Sequence, residues 1–168
     1  GTRRVGAGVF SDGVWYDPAD KLFKAWYWGG SLAREALGYC TCLATSRDGV
    51  HWDKPALDVV PGTNVVLEDE ADRRRNSCAV WMDLDEANPS RRFKMFRVAT
   101  HEETVEKAVS LRHSIRVSFS PDGVHWTFAG DTDATGDRST VFYNAFRKVW
   151  VYGIRTGTKE VSRCRDYV

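Results

Sequence analysis

The chain has 168 residues, 28% of them charged, with a formal net charge of +1. That length suffices for one domain with a real core, and the near-neutral balance gives no electrostatic case for a nucleic-acid or membrane partner. No apolar run reaches membrane-spanning length, and no basic segment followed by an apolar stretch marks a signal peptide in this segment.

The first patterned stretch is VWYDPADKLFKAWYW, from Val14 to Trp28. Phe23, Ala25 and Tyr27 alternate with Lys24 and Trp26, a period of two that predicts strand and not helix. Asp17 marks the polar turn that closes a hairpin here. A third alternating strand follows in GYCTCLATS, where Cys40 and Cys42 stand two apart and so share one face. Next comes SRDGVHW, Ser46 to Trp52. Its Asp-Gly pair predicts a tight hairpin turn, because glycine tolerates the positive φ such turns require. A short fourth strand carrying Trp52 is expected beyond it. The run EDEADRRRN, Glu68 to Asn76, reads as an exposed connection.

The pattern then starts again. VWMDLDEANPSRRFKMFRV, Val80 to Val98, repeats the hairpin, with Asp83 in the place of Asp17. Glu102 and Glu103 in HEETVEKAV fall on an expected loop or short helix. HSIRVSFS gives the third strand, SPDGVHW (Ser120 to Trp126) repeats the Asp-Gly turn, and Trp126 is expected on the fourth strand. A third round opens with VFYNAFRKVWVYGIR, Val141 to Arg155, with Asn144 at the turn, and EVSRCRDYV offers the start of one more strand. One unit is thus four antiparallel strands in about 70 residues, and tandem four-stranded units are the sequence signature of a β-propeller. Because a turn is needed in every unit while a catalytic centre is needed once, Asp48, Asp122, His51, His125, Trp52 and Trp126 read as architecture. The cysteines include no C-x-x-C pair and the four histidines show no metal-ligand spacing. Buried thiols are expected, with no metal and no other cofactor.

The repeated turn resembles a shortened form of the Asp-box of sialidases, a structural element lying away from the active site. More broadly, YCTCLATSRDGVHWDKPAL, GTNVVL, RRFKMFRV, VSFSPDGVHWT and GDRSTVFYNAFRKVWVYGIR resemble the five-bladed propeller proteins related to glycoside hydrolase families 32 and 43. The resemblance implies an all-β chain forming about two and a half blades of a five-bladed propeller: a blade at 13–54, a blade at 78–129 and an incomplete blade at 139–168. It also implies hydrolysis of a polysaccharide or oligosaccharide by carboxylates at the central funnel, where the innermost strand of each blade begins. One group must protonate the leaving oxygen and another must attack or activate water. On that template Asp12 fits the nucleophile or base, Asp137 is the second carboxylate, and a third acid is not visible. Arg75, Asn76, Arg138 and Arg155 fall where sugar-binding groups are expected.

A carbohydrate is therefore the expected partner, and the resemblance makes an extracytoplasmic location plausible. The competing expectation is a non-catalytic propeller that binds carbohydrate by stacking aromatics such as Trp26, Tyr27 and Trp28 on sugar faces, or that binds protein. An incomplete ring would leave apolar faces and a strand edge uncovered. Self-association or further blades of a longer chain are expected to cover them.

Overall fold

Alternating apolar and polar side chains leave each strand with one face to bury. In a computed structural model, which describes residues 5–8, 12–31, 39–68, 70, 74–105, 108–157 and 160–168, those faces meet between three antiparallel sheets. The protein is all-β: a one-turn 3-10 segment spans Pro89–Arg91, and no α-helix occurs among the described residues.

The first sheet contains β1 (Val5–Gly8), β2 (Val14–Asp17), β3 (Leu22–Ser31), β4 (Cys40–Ser46) and β5 (Val65–Leu67). Both β1 and β2 pair with β3, with Gly8 opposite Trp28 and Val14 opposite Ala25, so together they act as one interrupted edge strand. The second sheet is the meander β6 (Arg74–Met82), β7 (Phe93–Val105), β8 (Ala108–Ser120) and β9 (Thr127–Thr135). The third is β10 (Thr140–Asn144), β11 (Val149–Thr156) and β12 (Cys164–Tyr167). Strand β6 lies beside β2 on one side and β10 on the other.

Turn chemistry fixes the registers. Asp17 Oδ1 accepts from Ala19 N, Asp83 Oδ1 from Asp85 N, and Asn144 Oδ1 from Phe146 N and Arg147 N. These are the Asx-type bonds that close a hairpin. In the repeated phrase, Asp48 Oδ1 accepts from Val50 N and His51 N, both at 2.8 Å, while Ser46 Oγ accepts from Gly49 N at 2.8 Å. Ser120, Asp122 and Gly123 reproduce the same network. Gly49 and Gly123 take φ of 76° and 81°, the left-handed region that explains the glycine.

Two cores result. Trp26, Leu43, Val66, Cys78, Val80, Met82, Phe93 and Met95 fill the space between the first and second sheets, with Trp126 packed against them. Phe96, Val98, Ile115 and Val141, joined by Trp150 and Tyr152, fill the space between the second and third. Strand β7 thus serves both, Phe93 and Met95 on one face and Phe96 and Val98 on the other. Polar bonds stitch the first boundary as well: Val80 N donates to Asp12 O, Trp15 Nε1 to Val80 O and Trp26 Nε1 to Gly123 O.

Three expectations are corrected. The run from Glu68 to Asn76 is not an exposed connection throughout, since Arg74, Arg75 and Asn76 open β6 and Arg75 is buried. Neither Trp52 nor Trp126 sits on a strand: Trp126 stands just before β9, while after Trp52 the chain makes isolated bridges, Asp53 to Thr45 and Leu57 to Thr63, and the fourth strand of the first sheet comes later, at Val65–Leu67. Pro55 explains the delay, since it lacks the N–H that a continued ladder would use. Glu102 and Glu103 belong neither to a loop nor to a helix. They lie within β7, paired with Leu111 and Ser110.

Candidate functional site

The starts of β2, β6 and β10 come together at one end of the stacked sheets, and the sequence places a polar segment before each. Asp12 precedes β2, Arg75 and Asn76 open β6, and Asp137, Arg138 and Ser139 precede β10. The register of β6 against β7 shifts between Arg75 and Cys78, so a bulge falls at this end. Bulges re-aim side chains that a regular ladder would alternate.

Arg75 is buried and bridges the first two sheets. Its Nη2 donates to Asp12 Oδ1 and its Nε to Thr41 Oγ1 at 3.0 Å. Asp12 is 0% exposed, so this is a desolvated pair in which each charge depends on the other. Burial pulls the Arg75 guanidinium below its ordinary value. Burial likewise pushes the neighbouring Cys78 thiol up, against the pull of Arg75 and Arg97.

The second and third sheets meet through Asn76 and Ser77. Asn76 Oδ1 accepts from Arg138 N at 2.9 Å, and Ser77 Oγ donates to Ser139 O at 3.1 Å. Arg138 takes a left-handed φ of 57°, which is uncommon for a residue with a side chain. Its carbonyl accepts from Arg165 Nη2 at 2.9 Å, and Arg165 Nη1 donates to Gly153 O at 2.8 Å. Asp137 is paired with Arg155 Nη1. The turn that carries Asp137 passes so near β11 that a Cβ at Gly136 would lie 2.1 Å from Arg155 O.

A cleft of about 330 Å³ opens at this end, lined by Gly8, Trp28, Tyr39, Arg75, Asn76 and Arg138. Its aromatic wall comes from the first sheet, where the Trp28 and Tyr39 ring centroids are 5.1 Å apart at 45°. Its polar wall comes from the second and third. No protein-family model matches this chain, and no curated protein does. The chemistry of the cleft therefore rests on its own residues. An aromatic surface facing amide and guanidinium donors suits a ligand with an apolar face and several hydroxyl or anionic acceptors.

Of the six residues expected from the sequence, Arg75, Asn76 and Arg138 line the cleft. Asp12 lies behind Arg75, and Asp137 and Arg155 hold each other beside it. Among the three aromatics considered for stacking, only Trp28 lines it. Trp26 is fully buried in the first core, and the Tyr27 hydroxyl accepts from Asn64 Nδ2 at 2.6 Å on the opposite face of the sheet. Tyr39 and Gly8 were not anticipated. Tyr39 carried a weak signal, standing two residues before Thr41 on the face of β4 opposite Cys40 and Cys42. Gly8 carried none. Among the described residues no three His, Cys, Asp or Glu side chains converge as a metal site would need.

Proposed function

We propose that the protein is part of a glycoside-hydrolase-like β-propeller that binds a carbohydrate in the cleft formed by Trp28, Tyr39, Arg75, Asn76 and Arg138. The observation that carries this is the pairing of an aromatic wall with convergent donors where β2, β6 and β10 begin. Aromatic faces take the apolar side of a sugar ring, and the amide and guanidinium groups take its oxygens. The repeated turns, the side-by-side first strands and the two matching inter-sheet cores support the propeller.

Hydrolysis is a second reading, favoured by Asp12 and Asp137 flanking the cleft residues. Each faces a guanidinium, an arrangement that suits a charged nucleophile or base and not a proton-donating acid. No carboxylate among the described residues lines the cleft to serve as that acid. Binding is therefore the better-supported role for this segment, with Asp12 the residue on which chemistry would depend.

Titration calorimetry with a panel of oligosaccharides tests the binding. Trp28→Ala and Asn76→Ala should each weaken a bound saccharide by tenfold or more, the scale of losing a stacking surface or a convergent amide. Unchanged affinity in both variants would remove the cleft from consideration. Reducing-sugar release in the parent chain, absent in Asp12→Asn and in Asp137→Asn with binding retained, would establish hydrolysis.

A further inference from the structure

We propose that the saccharide bound in this cleft is anionic, carrying a carboxylate or sulfate group that the Arg138–Arg165 corner recognises; this rests on the carbohydrate-binding role above. The inference comes from how charge is distributed around the cleft. Asp12 is given to Arg75 from the buried side, and Asp137 is given to Arg155. Among the described residues these two carboxylates are each matched by a guanidinium, and neither lines the cleft.

Arg165 is different. Its two guanidinium nitrogens donate to the carbonyls of Gly153 and Arg138, groups without formal charge. Carbonyl anchors fix the position of a guanidinium while leaving its charge unneutralised. That guanidinium is held against the main chain of Arg138, a cleft-lining residue, which puts a cation with only carbonyl hydrogen-bond partners behind this corner.

Arg138 is prepared in a second way. Its N–H is held by Asn76 Oδ1 and its carbonyl by Arg165 Nη2, and between them the backbone is kept at a φ of 57°. A non-glycine residue held in the left-handed region costs free energy that surrounding bonds must offset, and such residues cluster at ligand sites. Here those bonds come from a residue of the cleft and from the guanidinium beside it. A sugar stacked on Trp28 and Tyr39 would meet Asn76 and Arg75 along its hydroxyl edge and the Arg138–Arg165 corner at one end. An anionic substituent at that end gains a charge-assisted bond that a neutral one does not.

The test uses the full chain and matched pairs of ligands. Binding of tetragalacturonate is compared with its methyl-esterified form, and a sulfated galactan tetrasaccharide with its desulfated form, by calorimetry at low and moderate salt. One anionic ligand should bind about tenfold or more tightly than its neutral partner, and added salt should narrow the gap. The pair showing the gap identifies carboxylate or sulfate as the recognised group. Arg165→Gln should shrink the preference to about twofold or less while neutral binding persists, and Trp28→Ala should weaken both forms together. Equal binding of neutral and anionic forms, or a preference unchanged in Arg165→Gln, overturns the anionic assignment and leaves carbohydrate binding intact. Absence of binding by every saccharide overturns both.

Discussion

Asp17 and Arg92, 75 residues apart in sequence, hold each other across the boundary between the first and second sheets. Asp17 is fully buried, and its other oxygen takes Lys24 Nζ at 2.9 Å. Burial alone would raise the Asp17 carboxyl, but the bonds from Lys24 and Arg92 prevail and hold it below its usual value. A carboxylate with a lowered folded pKa contributes stability that is present above its unfolded value near 3.9 and is lost as pH falls through the folded value. Asp17→Ala leaves two cations without this partner and should cost about 3 kcal/mol, the scale for breaking a buried pair. It should also flatten the acid limb of a stability-versus-pH curve measured by urea unfolding. An unaltered acid limb would show that Asp17 does not hold the boundary.

The two copies of the serine–aspartate–glycine turn have the same internal bonds but different surroundings. Gly123 is buried, its carbonyl accepts from Trp26 Nε1 at 2.8 Å, and the Asp122 carbonyl accepts from Lys24 Nζ at 3.1 Å. The first-copy turn is exposed. Asp122→Ala should therefore destabilise by about 1–2 kcal/mol, as for loss of a capping side chain, and Asp48→Ala by visibly less. Denaturant midpoints decide the order, and the reverse order would mean that the inter-sheet bonds do not depend on the turn.

Two histidines should titrate in opposite directions. His125 Nδ1 is 2.7 Å from Asp122 Oδ2 and its Nε2 is 3.1 Å from Asp58 Oδ1, and these carboxylates raise its pKa. Its contribution is present below the unfolded value near 6.5 and is lost as pH rises through the raised one. His113 is lowered by burial first and then by the charge of Arg155 and by the neighbouring His101 ring. Its contribution is present above 6.5 and lost as pH falls. Proton NMR titration of the two rings should resolve them on either side of an unstructured histidine, and Asp58→Asn should lower His125 alone.

Gly29 makes room for a pair of thiols. The Cys40 and Cys42 sulfurs are 3.6 Å apart on one face of β4, and a Cβ at Gly29 would lie 2.6 Å from Cys42 Sγ. The bond to Cys40, followed by burial, pushes the Cys42 thiol far above its ordinary value, so it stays protonated. Gly29→Ala should cost about 1–3 kcal/mol by overpacking. The double variant Gly29→Ala/Cys42→Ala should recover most of that loss, since the sulfur is what the methyl group meets. Additive losses in thermal melts would disprove this clash.

The strands and their turns were legible because each depends on residues near in sequence: a period of two, an Asx residue, an Asp-Gly pair. The site was legible only in part. Asn76 and Arg138 could be placed near strand starts, but the burial of Asp12 behind Arg75 arises from a contact across 63 positions that no local pattern encodes. Val65–Leu67 was missed because Pro55 postpones pairing after Asp53, whereas the matching segment from Thr127 has no proline and enters its strand at once. Glu102 and Glu103 misled because charged side chains on a doubly exposed hairpin resemble a loop in composition.

That hairpin has a consequence for the order in which the molecule assembles. Strands β7 and β8 pair continuously from Phe93–Ser120 to Val105–Ala108, and beyond Arg74–Thr100 on one edge and His113–Thr135 on the other no flanking strand pairs with them among the described residues. All its contacts close short loops, so it can form on the microsecond scale typical of hairpins. The contacts joining sheets span much longer stretches, 65 positions for Trp15 to Val80 and 97 for Trp26 to Gly123, and carry a larger loop-closure cost. The central sheet should therefore serve as the template on which its neighbours dock. Pulse-labelled hydrogen exchange during refolding would then show the amides of Phe96–Val98 and Ile115–Val117 protected before those of β3, and the opposite sequence would place the first structured unit in the amino-terminal sheet.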